Sequence, residues 1–202
     1  MSKTKIAIQG ELGAYSHIAT ENLFKDAEIK TCTTFEETFE QAYKDPDYKI
    51  VIPIENSLAG RVADIHYLLP KYKLQIHGEH FQAVEHNLLC KQDANINDIK
   101  FVRSHAQAIG QCQNLINKKK FKPIISADTA GSAKDLAEGN DKSIAAIASS
   151  LSAKIYKLKI LEKNIEDEKG NVTRFLIMGK NIEQPEFSND KKFITSCIFR
   201  VK

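Results

Sequence analysis

Asn171-Val172-Thr173-Arg174-Phe175 follows a charged turn, Glu166-Asp-Glu-Lys-Gly170, and leads into an apolar run, Phe175-Leu-Ile-Met178. A Gly ahead of a run rich in aromatic and branched residues marks a turn feeding a strand. Alternate side chains of a strand share a face, so Val172, Arg174 and Leu176 point one way and Thr173, Phe175 and Ile177 the other. A hydroxyl and a guanidinium therefore stand side by side where the chain enters buried sheet. Alone, they are a β-prone Thr and a surface Arg. Their meaning depends on the loops that the rest of the chain can bring to them.

The 202 residues suit one domain, or two lobes of about 100 residues each. At 42% hydrophobic content the chain can bury a core, which argues against disorder. A net charge of +3 is too small to point to nucleic acid without a clustered basic face. The basic triplet Lys118-Lys119-Lys120 ends a helical pattern, where cations meet the helix C-terminus favourably. No apolar run approaches the ~20 residues of a membrane span, and no signal-peptide core precedes the first strand, so a cytoplasmic location is expected. Cys32, Cys90, Cys112 and Cys197 are far apart, which suits buried thiols rather than a zinc site or disulfides. His77 and His80, the closest His pair, fall on opposite faces of a strand-like stretch. No metal site is expected.

From the motif outward, the pattern alternates strand and helix. Lys5–Gln9 reads as a strand, followed by Gly10-Glu-Leu-Gly-Ala-Tyr-Ser16 and a helix through Phe24. Glu28–Thr33 reads as a strand, Phe35–Tyr43 as a helix, and Tyr48–Ile54 as a buried strand ending in Glu55-Asn-Ser-Leu-Ala-Gly60. Arg61–Leu69 reads as a helix stopped by Pro70. Leu74–Cys90 is long and extended, as a strand crossing between lobes would be. Ile99–Arg103 is a strand whose following helix Ser104 would cap, with Gln107 and Gln111 on one helix face. Ile124–Ala127 is a strand, and Asp128 caps the next helix. A short strand at Leu158–Leu161 then precedes the return to Thr173. This alternation predicts an α/β fold with mostly parallel sheets, in two lobes flanking a cleft: about 1–76 with 165–180, and about 77–164. Residues 181–190 read as a linker, and 191–202 as a lone strand.

Ligands of open α/β sheets bind beyond the carboxyl ends of strands. The loops at Gly13, Ser57, Ser104 and Asp128 could each aim a helix N-terminus at one cleft, where free N–H groups favour an anion. The cleft would hold amides, hydroxyls, carboxamides and an Arg. Such a pocket can bind a small dianion, or catalyse a reaction that needs placed charge rather than a covalent intermediate.

These stretches together resemble prephenate dehydratase. They are Gly10–Ser16, Pro53-Ile-Glu-Asn-Ser57 with Gly60, Ser104-His-Ala-Gln107 with Gln111-Cys112, Asp128-Thr-Ala130 with Ala133, and Asn171–Phe175. They cover residues 5–180 in order, and several motifs in series are far more specific than one. Ala106 departs from the Pro usual in the family, which loosens a helix start and removes no functional group. The family usually carries a C-terminal ACT domain that senses phenylalanine. Residues 191–202 resemble its first strand, so phenylalanine is expected to regulate only a form with the whole domain.

The resemblance implies a two-lobed fold similar to type II periplasmic binding proteins. It also implies conversion of prephenate to phenylpyruvate, carbon dioxide and water without a cofactor, by a homodimer or homotetramer. Thr173 is the implied central catalytic residue, with Glu55 or His105 as the proton source. Asn56, Ser57, Ser104 and Gln111 would line the cleft, and the matched stretches add Gly13, Ala14, Thr129 and Phe175. Arg174 would support helix amides in holding the pyruvyl carboxylate if it turns inward. Two alternatives stay open: arogenate as substrate, and a non-catalytic module of the same fold that binds a small anion.

Overall fold

The computed structural model describes residues 3–180, 186 and 188–190. Most of the expected linker and the whole expected strand at 191–202 lie outside the described residues. In chain order, Lys5–Gln9 forms β1, Tyr15–Leu23 α1, Glu28–Cys32 β2, Phe35–Lys44 α2 and Tyr48–Asn56 β3. A short arm, Gly60–Arg61 (β4), precedes Ala63–Tyr72 (α3) and Gln75–Ala83 (β5). Then come Asn87–Cys90 (β6), Phe101–His105 (β7), Ala106–Gly110 (α4), Gln113–Lys119 (α5) and Lys122–Ser126 (β8). Thr129–Glu138 (α6), Ile144–Ala148 (β9), Ser150–Ile155 (α7) and Lys159–Glu162 (β10) complete the second lobe, and Val172–Gly179 (β11) returns to the first.

One sheet has the order β2-β1-β3-β11-β5, with β4 on β3, and the other has the order β10-β6-β9-β7-β8. The two-lobed α/β fold is as expected, but the sheets are mixed rather than mostly parallel. Pairs among β1, β2 and β3, and among β7, β8 and β9, are parallel. Those involving β4, β6, β10 and β11 are antiparallel. The reason is the double crossing. Strand β5 leaves the first lobe and β11 re-enters it alongside, so the neighbours run in opposite directions. Strand β5 also stays paired with β11 as far as Ala83, which moves the expected lobe boundary from residue 76 to the segment 84–86.

Strand β11 lies inside its sheet, between β3 and β5, and both of its faces are covered. Leu176 and Met178 pack with Phe39, Ile65 and Leu68, beneath α2 and α3. Phe175 and Ile177 pack with Ile6, Ile8 and Ala19, beneath α1. A strand buried on both faces needs a continuous apolar run, and Phe175–Met178 supplies it. Pro70 lies inside α3 instead of ending it. Near the end of a helix, the one hydrogen bond that Pro forgoes is offset by the buried Leu68 and Tyr72 on either side. Residue 61 joins the β4 arm, so α3 starts later than its apolar pattern suggested.

The lobes also meet away from the crossings. Gly13 has φ +92, and its carbonyl accepts from Ser149 Oγ at 2.6 Å and Ser152 Oγ at 3.0 Å. Tyr156 donates to Leu12 O at 2.9 Å, and Lys134 pairs with Glu11 at 3.0 Å. A Cβ at residue 13 would stand 2.8 Å from Ser152 Cα, whereas one at Gly170, with φ +81, would meet nothing within 4 Å. Gly13→Ala should therefore cost more than the roughly 1–3 kcal/mol of backbone strain that Gly170→Ala incurs, read as a larger fall in urea midpoint. Equal losses would mean that the helix carrying Ser152 moves aside freely.

His17 is buried, and its Nδ1 accepts the Gly13 N–H at 2.9 Å. Burial lowers its pKa, and Glu21 opposes that only in part. The unfolded chain thus binds the proton more readily. The stabilising contribution is complete above the ordinary histidine range near pH 6.5 and is lost as pH falls through the lower folded value. Urea midpoints should drop on acidification below about pH 6.5, with a shallower drop in His17→Gln, which keeps an acceptor but cannot titrate.

Candidate active site

A cavity of about 480 Å³ lies between the lobes, beyond the ends of β1, β3 and β7. The end of β3 supplies its central polar group. Asn56 Oδ1 accepts from Leu58 N at 3.0 Å and Ala59 N at 2.9 Å, in the turn that leads to β4. Two backbone donors fix which end of the carboxamide is oxygen. Asn56 Nδ2 must then donate, and it reaches Thr173 Oγ1 at 2.9 Å and Asn171 Oδ1 at 2.6 Å. Thr173 Oγ1 therefore accepts from Asn56. Thr173 is 8% exposed and lines the cavity, and among the described residues its hydroxyl proton has no acceptor. That proton is left for whatever occupies the cavity.

The same direction passes to the second lobe. With Asn171 Oδ1 used as acceptor, Asn171 Nδ2 donates to Gln111 Oε1 at 3.0 Å. Gln111 Oε1 also lies 3.0 Å from His86 Nε2, which must carry the proton. Burial lowers the His86 pKa, against the Gln111 hydrogen bond and Glu166, so the ring is neutral at pH 7 and its Nδ1 is an acceptor. Tyr15 Oη stands 2.9 Å from that Nδ1 and 2.8 Å from Glu85 O. Burial holds the Tyr15 phenol well above its ordinary pKa, and Cys112 adds to this, so the phenol keeps its proton. Cys112 itself is pushed up to about 12 by burial.

Of the expected site residues, Thr173, Asn56, Gln111, His105, Ala14, Thr129 and Phe175 line the cavity. His105 caps α4, its Nδ1 accepting from Gln107 N at 3.3 Å, which leaves Nε2 to carry the ring N–H. The other expected residues are used elsewhere. Arg174 does not turn inward. It donates from Nε to Glu79 at 2.7 Å and from Nη1 to Glu55 at 3.1 Å, with the Phe81 ring 5.9 Å away. The Glu55 hydrogen bond and then Glu79 raise the Arg174 pKa further. Glu55 is thereby engaged as the partner of Arg174 and lies outside the cavity lining.

Ser104 lies inside β7 rather than at the helix cap, and its hydroxyl donates to Ile147 O at 2.7 Å. Strand β7 runs two residues further than the sequence suggested, so the cap falls to His105. Ser57 ties the turn to the return strand. Its Oγ accepts from Val172 N at 3.0 Å and lies 3.2 Å from Gly170 O. Gly13 gives its N–H to His17 and its carbonyl to Ser149 and Ser152, so it offers no amide to a ligand. Asp128 does cap α6, through Gly131 N at 2.6 Å, and its neighbour Thr129 faces the cavity.

Sequence reasoning missed His86, Tyr15, Asn171 and Arg61. Tyr15 and Asn171 lay inside quoted motifs and were overlooked beside Gly13 and Thr173. His86 sits in the crossing segment, where an isolated His carries no spacing signal. Arg61 was assigned to a helix, whereas the β4 arm brings it to the cavity rim as the one Lys or Arg in the lining among the described residues.

The sequence pattern described as Prephenate dehydratase matches residues 6–183. A curated relative from Arabidopsis thaliana, arogenate dehydratase/prephenate dehydratase 2, is 39% identical over 201 residues, covering 100% of this chain and 52% of that protein. A bifunctional N-acyl-homoserine lactone acylase/prephenate dehydratase from Komagataeibacter europaeus is 37% identical over 97% of this chain and 69% of its own length. The solved prephenate dehydratase of Arthrobacter aurescens, in complex with L-Phe, superposes with a TM-score of 0.83 at 25% identity, over 91% of this chain and 62% of that one. The chain spans about half the length of the plant relatives it matches. With the pattern running through every strand of both lobes, the chain belongs to the prephenate dehydratase family.

Proposed function

We propose that the chain converts prephenate to phenylpyruvate, carbon dioxide and water. The observation that carries this reading is the free proton of Thr173, directed to the cavity because Asn56 already donates to its oxygen. As the ring carboxylate leaves as carbon dioxide, its C–C bonding electrons enter the ring and expel the ring hydroxyl. Negative charge grows on that departing oxygen, and a preorganised donor stabilises it most where it is largest. A threonine hydroxyl is too weak an acid to give up its proton unaided. It acts as a placed donor, and the proton that completes the departing water comes from solvent or from His105 when its ring is protonated, since a neutral imidazole N–H is as weak an acid as the hydroxyl. Arg61 at the rim suits the pyruvyl carboxylate. Arogenate is a second reading, favoured by relatives named for that substrate.

Incubation with each substrate in turn, followed by detection of phenylpyruvate or phenylalanine, tests this. Loss of neither substrate would overturn the reading. Thr173→Ala should lower kcat by about 10²–10³-fold, the scale of losing one oriented donor, with little change in KM. Thr173→Ser, which keeps the hydroxyl but not the methyl that fixes its rotamer, should retain much more. Near-parental turnover of Thr173→Ala would move the donor role to another group.

Arg174→Ala gives a second check. Because Arg174 is held by Glu55 and Glu79, its loss should lower stability by on the order of 1 kcal/mol, as partly exposed ion pairs do, and leave KM within about twofold, the change that ~0.4 kcal/mol makes. A tenfold rise in KM would show that it reaches substrate after all.

A further inference from the structure

His86 is 2% exposed and lies in the crossing segment between the lobes, bonded to three separate parts of the chain. Its backbone N–H donates to Glu166 Oε2 at 2.9 Å and its carbonyl accepts from Ile165 N at 2.9 Å, both in the returning segment. Its Nδ1 faces Tyr15 on α1 of the first lobe, and its Nε2 faces Gln111, at the end of α4 in the second. The charged or titratable groups acting on this pair are Glu166, Glu85 and Cys112, besides Tyr15 itself. The ring makes an edge-on contact with Tyr15 at 5.7 Å between centroids.

The consequence falls on Gln111. A carboxamide can rotate by half a turn at little cost, which exchanges its oxygen and nitrogen. Here two donors, His86 Nε2–H and Asn171 Nδ2, converge on Gln111 Oε1. Rotation would set the amide NH₂ against both of them. Gln111 lines the cavity, and among the described residues its Nε2 has no protein partner. That NH₂ is a donor presented at fixed orientation.

We propose that His86 is a positioning residue for this site, holding the Gln111 carboxamide so that its NH₂ faces the bound substrate. This rests on the dehydratase reading above. His86 also lines the cavity, but both of its ring nitrogens are engaged, by Tyr15 and by Gln111, so neither is offered to a ligand. It acts through Gln111, as a second donor beside Asn171 on the same oxygen, and it ties that orientation to the first lobe through Tyr15.

The test is a double-mutant cycle on kcat/KM with His86→Leu, Gln111→Ala and the double variant, at a temperature where all three are folded by circular dichroism. Once His86 no longer orients Gln111, removing the carboxamide should cost less. Each single variant should lose on the order of 3–10-fold, the worth of one oriented hydrogen bond, and the double variant clearly less than the product of the two. His86→Gln, whose side chain can still offer an N–H to Gln111, should recover most of the loss. If His86→Leu does not fold, His86→Asn takes its place in the cycle, since it stays polar but is too short to reach Gln111. Additive losses, or a His86→Gln variant no better than His86→Leu, would overturn the proposal while leaving the dehydratase reading intact. Parent protein that consumes neither prephenate nor arogenate would overturn both.

Discussion

The carboxamide of Asn56 decides the direction of the hydrogen-bond chain that runs from Thr173 to His86. Its oxygen is claimed by two backbone N–H groups of the β3–β4 turn, at Leu58 and Ala59. The nitrogen has no choice but to donate, to Thr173 and Asn171. Orientation then passes from Asn171 to Gln111 and meets the proton of His86. Buried polar networks of this kind are stable only when every member is satisfied. The ends without a partner among the described residues, the Thr173 proton and the Gln111 NH₂, are the ones that face the cavity.

That network crosses from lobe to lobe, and it is stiffened from outside the cleft. The Ser149 and Ser152 hydroxyls converge on the Gly13 carbonyl, at an approach that a side chain at residue 13 would block. Tyr156 and the Lys134–Glu11 pair extend the same seam. Together with the two crossing segments, which follow β5 and precede β11, these contacts join the lobes at more than one place. Motion of one lobe against the other must either keep the Gly13 seam as a pivot or break it. A donor that must sit within a few tenths of an ångström of a departing oxygen gains from such restraint, because positioning is settled before substrate arrives.

Much of this was legible in the sequence, and the failures share a cause. Period and turn chemistry located the two lobes, and the motifs located the loops. The run Phe175–Met178 announced a strand in buried sheet. What the pattern could not give was the partner of each side chain. Ser104 and Gly13 were chosen as residue types suited to a ligand, but each is consumed by a neighbour distant in sequence, Ile147 in one case and Ser149 and Ser152 in the other. In both loops a residue one further along, His105 or Ala14, lines the cavity. The mixed sheets escaped notice because strand direction depends on where the chain crosses, and no local period records that. His86 escaped because a single buried His between strands looks the same whether it fills space or orients a catalytic group.

The placement of Arg174 follows from the charge demand of the proposed reaction. Decarboxylation destroys the charge of the ring carboxylate in the transition state. A cation fixed beside that carboxylate would stabilise the ground state more than the transition state and would slow the step. Arg174 adjoins Thr173 in sequence but points to the other face of β11, where two carboxylates, Glu55 and Glu79, and the ring of Phe81 hold it. The remaining cation of the lining, Arg61, stands at the rim, where it can hold the carboxylate whose charge persists throughout. The free donors that the network leaves to the cavity, the Thr173 hydroxyl and the Gln111 NH₂, are neutral; such donors cost little when a departing carboxylate loses its charge and act fully when a departing oxygen gains one.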